Sequence, residues 1–465
     1  MRNGLNRWKA ALHSALFLTA VAVAPGAGAT AQAPEPLVLS FWTTDADPKR
    51  LAAIRNLMDG FVASTDGIDV ELRSVGNAEL LDAFDEARSA GALPDVIHAG
   101  SDSIVALGLR GDLDRDRTTR LIKNIRERRF AAGARRMLRG ADWLYYGVPI
   151  HGWLQGLIYR ADWFAEAGLE PPNGWDRILE AAQRLHDPEN GRYGILVGTM
   201  SDIYAQQVFS HLALTNGVEI ADAKGAIVFD SPRTVETLSF LKQLADYTPP
   251  GPQTWRSRDY YLQGRLAMMF YSTYIMDDLA IEEVAEDSLT GDNFDDLDGA
   301  PYDPALIKNT RGSMVLWNTR SAGFGAVIAL GMTNTDDPER QAAQEALLRF
   351  LFRNDVYIAW MHIEPGGNLP VMTETAQDPR FYRDLRGVLA HFGRERTQAI
   401  VDGMADIESF NVVNGLLRPQ AAPVLDSQII GEMIRRTIWD DVPPAEAVSW
   451  AAEEMRALLE RTGAQ

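Results

Sequence analysis

The sequence predicts an α/β fold with two lobes, each a mostly parallel sheet flanked by helices, joined by hinge strands. Segments with strand-like and helix-like patterns alternate from residue 37 onward, and this alternation favours parallel pairing with the helices outside the sheet. A second block of the same kind occupies the later part of the chain. No low-complexity linker separates the blocks, so lobes connected by strands that cross back and forth fit the chain better than independent domains.

The first block is predicted to supply three strands and two helices, because apolar residues alternate in the former and recur at helical spacing in the latter. The strands are expected over residues 37–44, 68–73 and 94–100, and the helices over 50–63 and 78–90. In an open parallel sheet, ligands bind beyond the carboxyl ends of the strands. We therefore expect residues 42–45 and 99–103 to line a ligand site.

The second block is predicted from helical spacing, buried apolar runs and helix-start signals. Its segments are a helix over residues 234–245, strands over 264–271 and 323–330, a helix that begins at Asp337 and Pro338, and a terminal helix led by Pro443. Asp337 is the type of residue that caps a helix, and proline is favoured in the first turn.

Composition excludes several classes of site and partner. The chain has 465 residues and a formal net charge of −19, and that charge disfavours nucleic acid and anionic membranes because both would repel it. The absence of cysteine excludes disulfides, thiolate metal sites, cysteine nucleophiles and a lipidated cysteine anchor.

No metal site is predicted. The seven histidines are scattered without metal-binding spacing. Residues 291–299 carry several aspartates but lack the sixth-position glycine and the closing glutamate of a calcium loop. We interpret this segment as a solvated acidic loop.

The N-terminus is predicted to be a secretory signal over residues 1–31. It has a basic start, an apolar core shorter than the ~20 residues that a membrane span needs, and an Ala-x-Ala exit at Ala29 and Ala31. We therefore expect an exported protein in the periplasm.

Seven stretches, taken in order, resemble the extracellular solute-binding proteins of carbohydrate ATP-binding-cassette importers, the maltose-binding-protein-like family. They lie at residues 41–42, 94–100, 146–160, 162–175, 264–269, 366–371 and 418–423, the last with the terminal helix. The resemblance implies a two-lobed periplasmic binding protein fold, with an N-terminal lobe of residues 32–148 plus 320–366 and a C-terminal lobe of residues 149–319 plus 367–465. It implies no enzymatic activity and no cofactor, and its partners would be a carbohydrate and a membrane permease, with the protein a monomer.

The resemblance also places a hinge at residues 146–160, where the chain would cross between lobes. Gly147, Gly152 and Gly156 can absorb changes of φ and ψ at little cost. The alternative is that these glycines only relieve crowding in a strand.

A sugar site needs aromatic rings for the flat faces of the sugar and polar groups for its hydroxyls. The candidate ligand-binding residues are Trp42, Asp45, Ser101, Asp102, Trp153, Tyr204, Tyr271, Tyr274, Arg311, Trp317, Gly367 and Asn368. For each aromatic residue among them, core packing is the alternative.

Two other functions stay open. One is an exported glycosidase or lyase that uses paired carboxylates such as Asp102 and Asp202. The other is the same fold with a polyamine, phosphoester or peptide as its ligand. An anionic ligand would make Arg311 or Arg435 the residues to test.

Overall fold

The computed structural model describes residues 35–255, 257–289, 302–303, 305–413 and 416–462. The strands in these ranges are β1 Leu37–Thr43, β2 Ile68–Ser74, β3 Val96–Gly100, β4 Val148–Arg160, β5 Met268–Ser272, β6 Thr310–Ser313, β7 Val315–Trp317, β8 Ser321–Met332, β9 Leu369–Pro370, β10 Ile407–Glu408, β11 Val412–Val413 and β12 Leu416–Leu417. The predicted signal at residues 1–31 and the acidic segment at 291–299 lie outside the described residues.

The helices fill the intervals between these strands. They are α1 Pro48–Ala63, α2 Leu80–Ser89, α3 Ser101–Leu109, α4 Arg115–Ile125, α5 Ala132–Arg136, α6 Ala161–Ala167, α7 Trp175–Leu185, α8 Ile203–Thr215, α9 Pro232–Ala245, α10 Ser257–Leu262, α11 Glu282–Leu289, α12 Leu306–Asn309, α13 Pro338–Leu351, α14 Asn354–Met361, α15 Val388–Phe392, α16 Arg394–Asp402, α17 Ala421–Leu425, α18 Ile429–Trp439 and α19 Pro444–Thr462. Among these helices, none combines the length and apolarity that a bilayer-spanning segment requires.

Capping residues mark several helix ends, and the one predicted at Asp337 is confirmed. The Asp337 carboxylate accepts hydrogen bonds from the backbone N–H groups of Glu339 and Arg340 at the start of α13, and Asp47 caps α1 in the same way. Gly168 ends α6 with φ +63°, a left-handed conformation that glycine adopts without steric cost.

The main sheet has the strand order β2-β1-β3-β8-β4-β5, with β6, β7, β9 and β10 paired to β4 or β8. β1 pairs in parallel with both β2 and β3, as predicted for the first lobe. The second half is mixed rather than mostly parallel, since β5 and β6 both run antiparallel to β4. The reason is that β4 and β8 are long antiparallel neighbours that both halves share.

Strand ends from the two halves face each other across the middle of this sheet. β3 runs antiparallel to β8 and ends at Gly100, opposite Ile328. From the other half, β5 runs antiparallel to β4 and ends at Ser272, opposite Gln155, and β10, parallel to β8, ends on the same side. Because β4 and β8 continue between these ends, they form the floor of a gap, which we call the cleft.

The predicted lobe boundaries stay a prediction, because contacts across β4 and β8 unite the described residues from Leu37 onward in one compact unit. The segment after residue 366 returns to the first half. The backbone N–H of Ala131 donates to Val371 O at 2.8 Å, and Arg129 pairs with Glu374.

Close packing explains two glycines of β4. A Cβ at Gly152 would lie 2.5 Å from the backbone oxygen of Ala326, and a Cβ at Gly156 would lie 2.4 Å from the terminal methyl of Met314. Neither glycine has a positive φ. These contacts support the interpretation that the glycines relieve crowding.

The two positions should differ in their tolerance of alanine. We expect Gly152→Ala to cost about 1–3 kcal/mol of unfolding free energy, the usual cost of overpacking, because a strand carbonyl cannot move aside. Gly156→Ala meets mainly the end of a flexible methionine and should cost less. Urea unfolding of both variants measures the difference, and equal costs would contradict the packing argument.

Candidate functional site

Trp153 lies in the centre of the cleft floor. It sits on β4 opposite Ala326, between the rows at which the facing strands end. Its indole is half-buried and packs against Phe324 in a T-shaped arrangement with ring centroids 6.2 Å apart. Two residues further along the same face, the Gln155 side-chain amide donates to Gln207 O of α8 at 3.1 Å.

A charged network follows the carboxyl end of β1. Arg50 Nε donates to both carboxylate oxygens of Asp45, at 3.0 and 2.9 Å, and Arg50 Nη1 lies 3.4 Å from Glu364 Oε2. Burial raises the pKa of Glu364, and the charge of Asp277 raises it further, whereas Arg50 lowers it. Arg50 therefore joins two acidic side chains that are far apart in sequence and holds both at the cleft.

Tyr274 reaches this network from the other half of the sheet. It follows β5 in a 3₁₀ turn, and its ring occupies the space above Gly367, where a Cβ would lie 2.2 Å from the ring carbon Cε1. Burial raises its phenol pKa, with Arg50, Glu364 and Asp45 as the nearby charges. The structure thus brings together three residues predicted from sequence, Asp45, Tyr274 and Gly367.

Asp102 lies at the start of α3, directly beyond β3. The residue is exposed to solvent, yet the surrounding protein atoms raise its pKa, while the amide of Asn411 lowers it and the carboxylate of Asp426 raises it. A side chain that solvent can reach, but that protein atoms surround, lies in a recess. Asn411 follows β10 and Asp426 follows α17, so these polar groups meet from both sides of the cleft.

An aromatic cluster lines the second half of the cleft. Trp255 is 39% exposed, and its indole packs against Tyr271 with ring centroids 5.7 Å apart and against Tyr204 at 5.0 Å. Burial raises the pKa of Tyr271 to about 12, so its phenol stays protonated and can donate a hydrogen bond. Arg258, beside it, pairs with the Asp259 carboxylate at 3.2 Å.

Four predicted contacts are buried. Trp42 is 2% exposed and carries the Arg73 guanidinium on its ring. Tyr204 is fully buried and donates to the backbone oxygen of Phe270 at 3.0 Å. Asn368 donates to Trp360 O. Ser101 is 3% exposed at the start of α3. The structure uses these side chains for packing.

Arg311 and Trp317 lie outside the charged network and the aromatic cluster of the cleft. Arg311 donates to the backbone oxygens of Lys308 and Thr310. Trp317 is 55% exposed and its backbone pairs with Asn173. Arg435, the other residue suggested for an anionic ligand, is already paired with Glu432 and Asp440.

Sequence reasoning missed several residues that line the cleft: Arg50, Trp255, Arg258, Glu364, Asn411 and Asp426. Arg50 lay within a predicted helix, and the others follow no strand that periodicity could identify. The carboxylate of Asp202, one of the suggested catalytic pair, caps α8 by accepting from Ala205 N at 2.8 Å. In the described part of the chain, no group of histidine and acidic side chains could hold a metal ion.

Comparison with known proteins gives a family and a fold. Residues 45–355 match the profile of a family described as bacterial extracellular solute-binding protein. The chain is 26% identical over 431 residues to the putative ABC transporter periplasmic-binding protein YcjN of Escherichia coli (strain K12), a match that covers 91% of this chain and 93% of that protein.

Solved structures of low identity share the architecture. The sugar-binding protein MalE from Xanthomonas citri matches with a TM-score of 0.70 at 18% identity, over 91% of this chain and 98% of its own. The cyclic alpha-maltosyl-1,6-maltose binding protein from Arthrobacter globiformis matches with a TM-score of 0.66 at 18% identity, over 92% and 100%. These matches confirm the predicted two-lobed α/β fold.

Proposed function

Because the chain belongs to the bacterial extracellular solute-binding protein family, we propose that it captures a carbohydrate between its lobes and delivers it to an ATP-binding-cassette importer. The observation that carries this proposal is the pair of facing strand ends with a tryptophan between them. Ligand-binding proteins of the doubly wound type use the carboxyl ends of their strands, and here those ends approach from both halves.

The side chains in the cleft suit a sugar. Trp153, Trp255 and Tyr271 offer ring faces and edges against which pyranose C–H groups can pack. Asp45, Asp102 and Glu364 offer carboxylate oxygens to hydroxyl donors, and charge-assisted hydrogen bonds of this kind are among the stronger ones. The structural relatives whose names mention a sugar or a maltose oligosaccharide support the same ligand class.

The mechanism follows from the position of these groups. Asp45 and Asp102 belong to the first half, whereas Trp255 and Tyr271 belong to the second. A ligand that contacts both sets gains its full interaction energy only when the lobes are close, and this differential affinity shifts the population toward the closed form. An importer that distinguishes closed from open protein can then receive loaded molecules.

Three further elements belong to the proposal. The protein acts in the periplasm, after removal of the signal predicted at residues 1–31. It works as a monomer with a membrane permease as its partner. It binds its ligand without changing it.

A ligand screen tests the carbohydrate. Maltose, maltotriose, other oligosaccharides and polyols are added to the purified protein, with spermidine and glycerol phosphate as non-sugar probes. A ligand at about a hundred times its dissociation constant adds ~2.7 kcal/mol to the folded state, so a bound sugar should raise the melting temperature by several degrees.

Analysis of the same mixtures by chromatography checks the absence of catalysis. Unchanged sugar together with a thermal shift supports a receptor. Release of shorter sugars would overturn that conclusion in favour of an enzyme that uses Asp102 and Asp426. A shift with spermidine or glycerol phosphate alone would overturn the ligand class.

A further inference from the structure

An apolar cavity lies behind the cleft floor. Its volume is about 130 Å³, and it is lined by Ile158, Met276, Leu279, Met314, Phe392 and Ile400. A Cβ at Gly156 would touch Met314, so Met314 lies on the face of β4 opposite that of Trp153 and Gln155, because neighbouring strand residues point to opposite faces. The cavity therefore lies on the face of β4 away from Trp153 and Gln155, and Tyr271, which pairs with Gly156, is on this same face.

Two guanidinium groups stand at the rim of this cavity, those of Arg311 and Arg396. Arg396 Nε donates to Phe392 O at 2.6 Å and its Nη2 donates to His391 O at 2.9 Å. Burial lowers the pKa of Arg396, and the positive charge of Arg311 lowers it further. Two like charges thus converge on one opening in a chain whose net charge is −19.

Arg311 has no acidic partner within the described residues. Its Nη1 donates only to the backbone oxygens of Lys308 and Thr310, at 2.9 and 2.8 Å, and its side chain is exposed. Glu395 lines the neighbouring recess without an ion pair to Arg311. A guanidinium with free N–H groups at the mouth of an apolar cavity can bind a carboxylate.

We propose that this cavity binds a small carboxylic acid with an apolar body, an aromatic ring or a short branched chain, whose carboxylate lies against Arg311. The volume of the cavity, about 130 Å³, supports an occupant of this kind, because an apolar cavity of about 150 Å³ holds one benzene ring. The carboxylate relieves the repulsion between the two arginines. This site is independent of the carbohydrate proposal.

Titration calorimetry of the full chain with phenylacetate and benzoate tests the proposal. Benzyl alcohol supplies the ring without the charge, and acetate supplies the charge without the ring. We expect saturable binding of at least one aromatic acid, with both controls weaker by about tenfold or more, the factor that one charge-assisted hydrogen bond contributes. The absence of saturable binding by both aromatic acids, or equal binding of acetate, would overturn the proposal.

Three variants locate the site. Arg311→Met, at an exposed position, should weaken the aromatic acid about tenfold or more, and Ile400→Trp should abolish binding by filling the cavity. Trp143→Ala, at a residue that is 70% exposed and is not among those lining the cavity, should leave the affinity unchanged. Wild-type affinity in Arg311→Met would overturn the proposal even if Ile400→Trp does not fold.

Discussion

Acidification from about pH 7 to about pH 5.5 is expected to lower the free energy of unfolding by about 4 kcal/mol, through three buried histidines. Burial lowers the pKa of His98 and of His211 to about 4 and holds that of His151 well below its usual value. The folded protein therefore leaves these rings neutral, whereas the unfolded chain protonates them below about pH 6.5. The contribution of these three rings to the free energy of unfolding is fully present above that pH and is lost as the pH falls toward 4.

The surroundings of His98 and His151 explain why protonation is unfavourable. His98 Nδ1 lies 2.9 Å from Thr43 Oγ1, and the Nε2 atoms of the two rings lie 3.2 Å apart. One proton serves that contact, and a second would turn one ring into a cation and leave two N–H donors facing each other. Arg50 adds repulsion at His151, whereas the weak attraction of Asp45 for protonated His98 does not compensate for burial.

Of the three buried histidines, His211 is the best position for a substitution that tests the pH dependence. Its ring lies between Phe270 and Phe324, at 6.0 and 6.2 Å, and the backbone at Ala322 only partly offsets its burial. His211→Phe should preserve this packing and remove about a third of the pH dependence.

Urea unfolding across the pH range measures the effect, with His362→Gln as the control that keeps all three buried rings. Glu364 and Asp102 act in the opposite sense, because their raised pKa values favour protonation of the folded state. A flat stability between pH values of about 7 and 5.5 would contradict the assignment of neutral buried rings.

The order of elements was predictable because local signals determine it. The first strand and the Asp337 cap both appear in the structure at the expected places. The pairing of the second half was not predictable, because it depends on β4 and β8 lying side by side over nearly their whole length. That contact joins segments about 170 residues apart, beyond the reach of periodicity.

The site was predictable only where it follows a strand end. Asp45, Asp102 and Tyr274 lie beyond β1, β3 and β5, and Tyr271 is the last residue but one of β5. Their role in binding stays a prediction. Trp42 is the last residue but one of β1. This end of the strand is buried on both faces, so the Trp42 side chain is buried as well. The cleft residue Glu364 comes from the loop after α14, which only the tertiary fold brings to Arg50.

Trp255→Ala is expected to weaken carbohydrate binding about 10- to 100-fold, the range found when a central aromatic residue of an interface is truncated. Trp255 is the most exposed ring of the cleft cluster, and Tyr271 supports it edge-on. Removing the indole eliminates a stacking surface and leaves the Tyr271 ring without its neighbour. Calorimetric titration with the sugar identified in the screen measures the loss.

Trp317→Ala and Trp143→Ala are matched controls, since these tryptophans are 55% and 70% exposed and lie outside the cleft cluster. Both should bind as wild type does. Trp255→Phe should fall between wild type and alanine, because a smaller ring retains part of the stacking area and the packing on Tyr204. If Trp317→Ala weakens binding as much as Trp255→Ala while its melting temperature is unchanged, the sugar lies elsewhere and the cleft assignment is wrong.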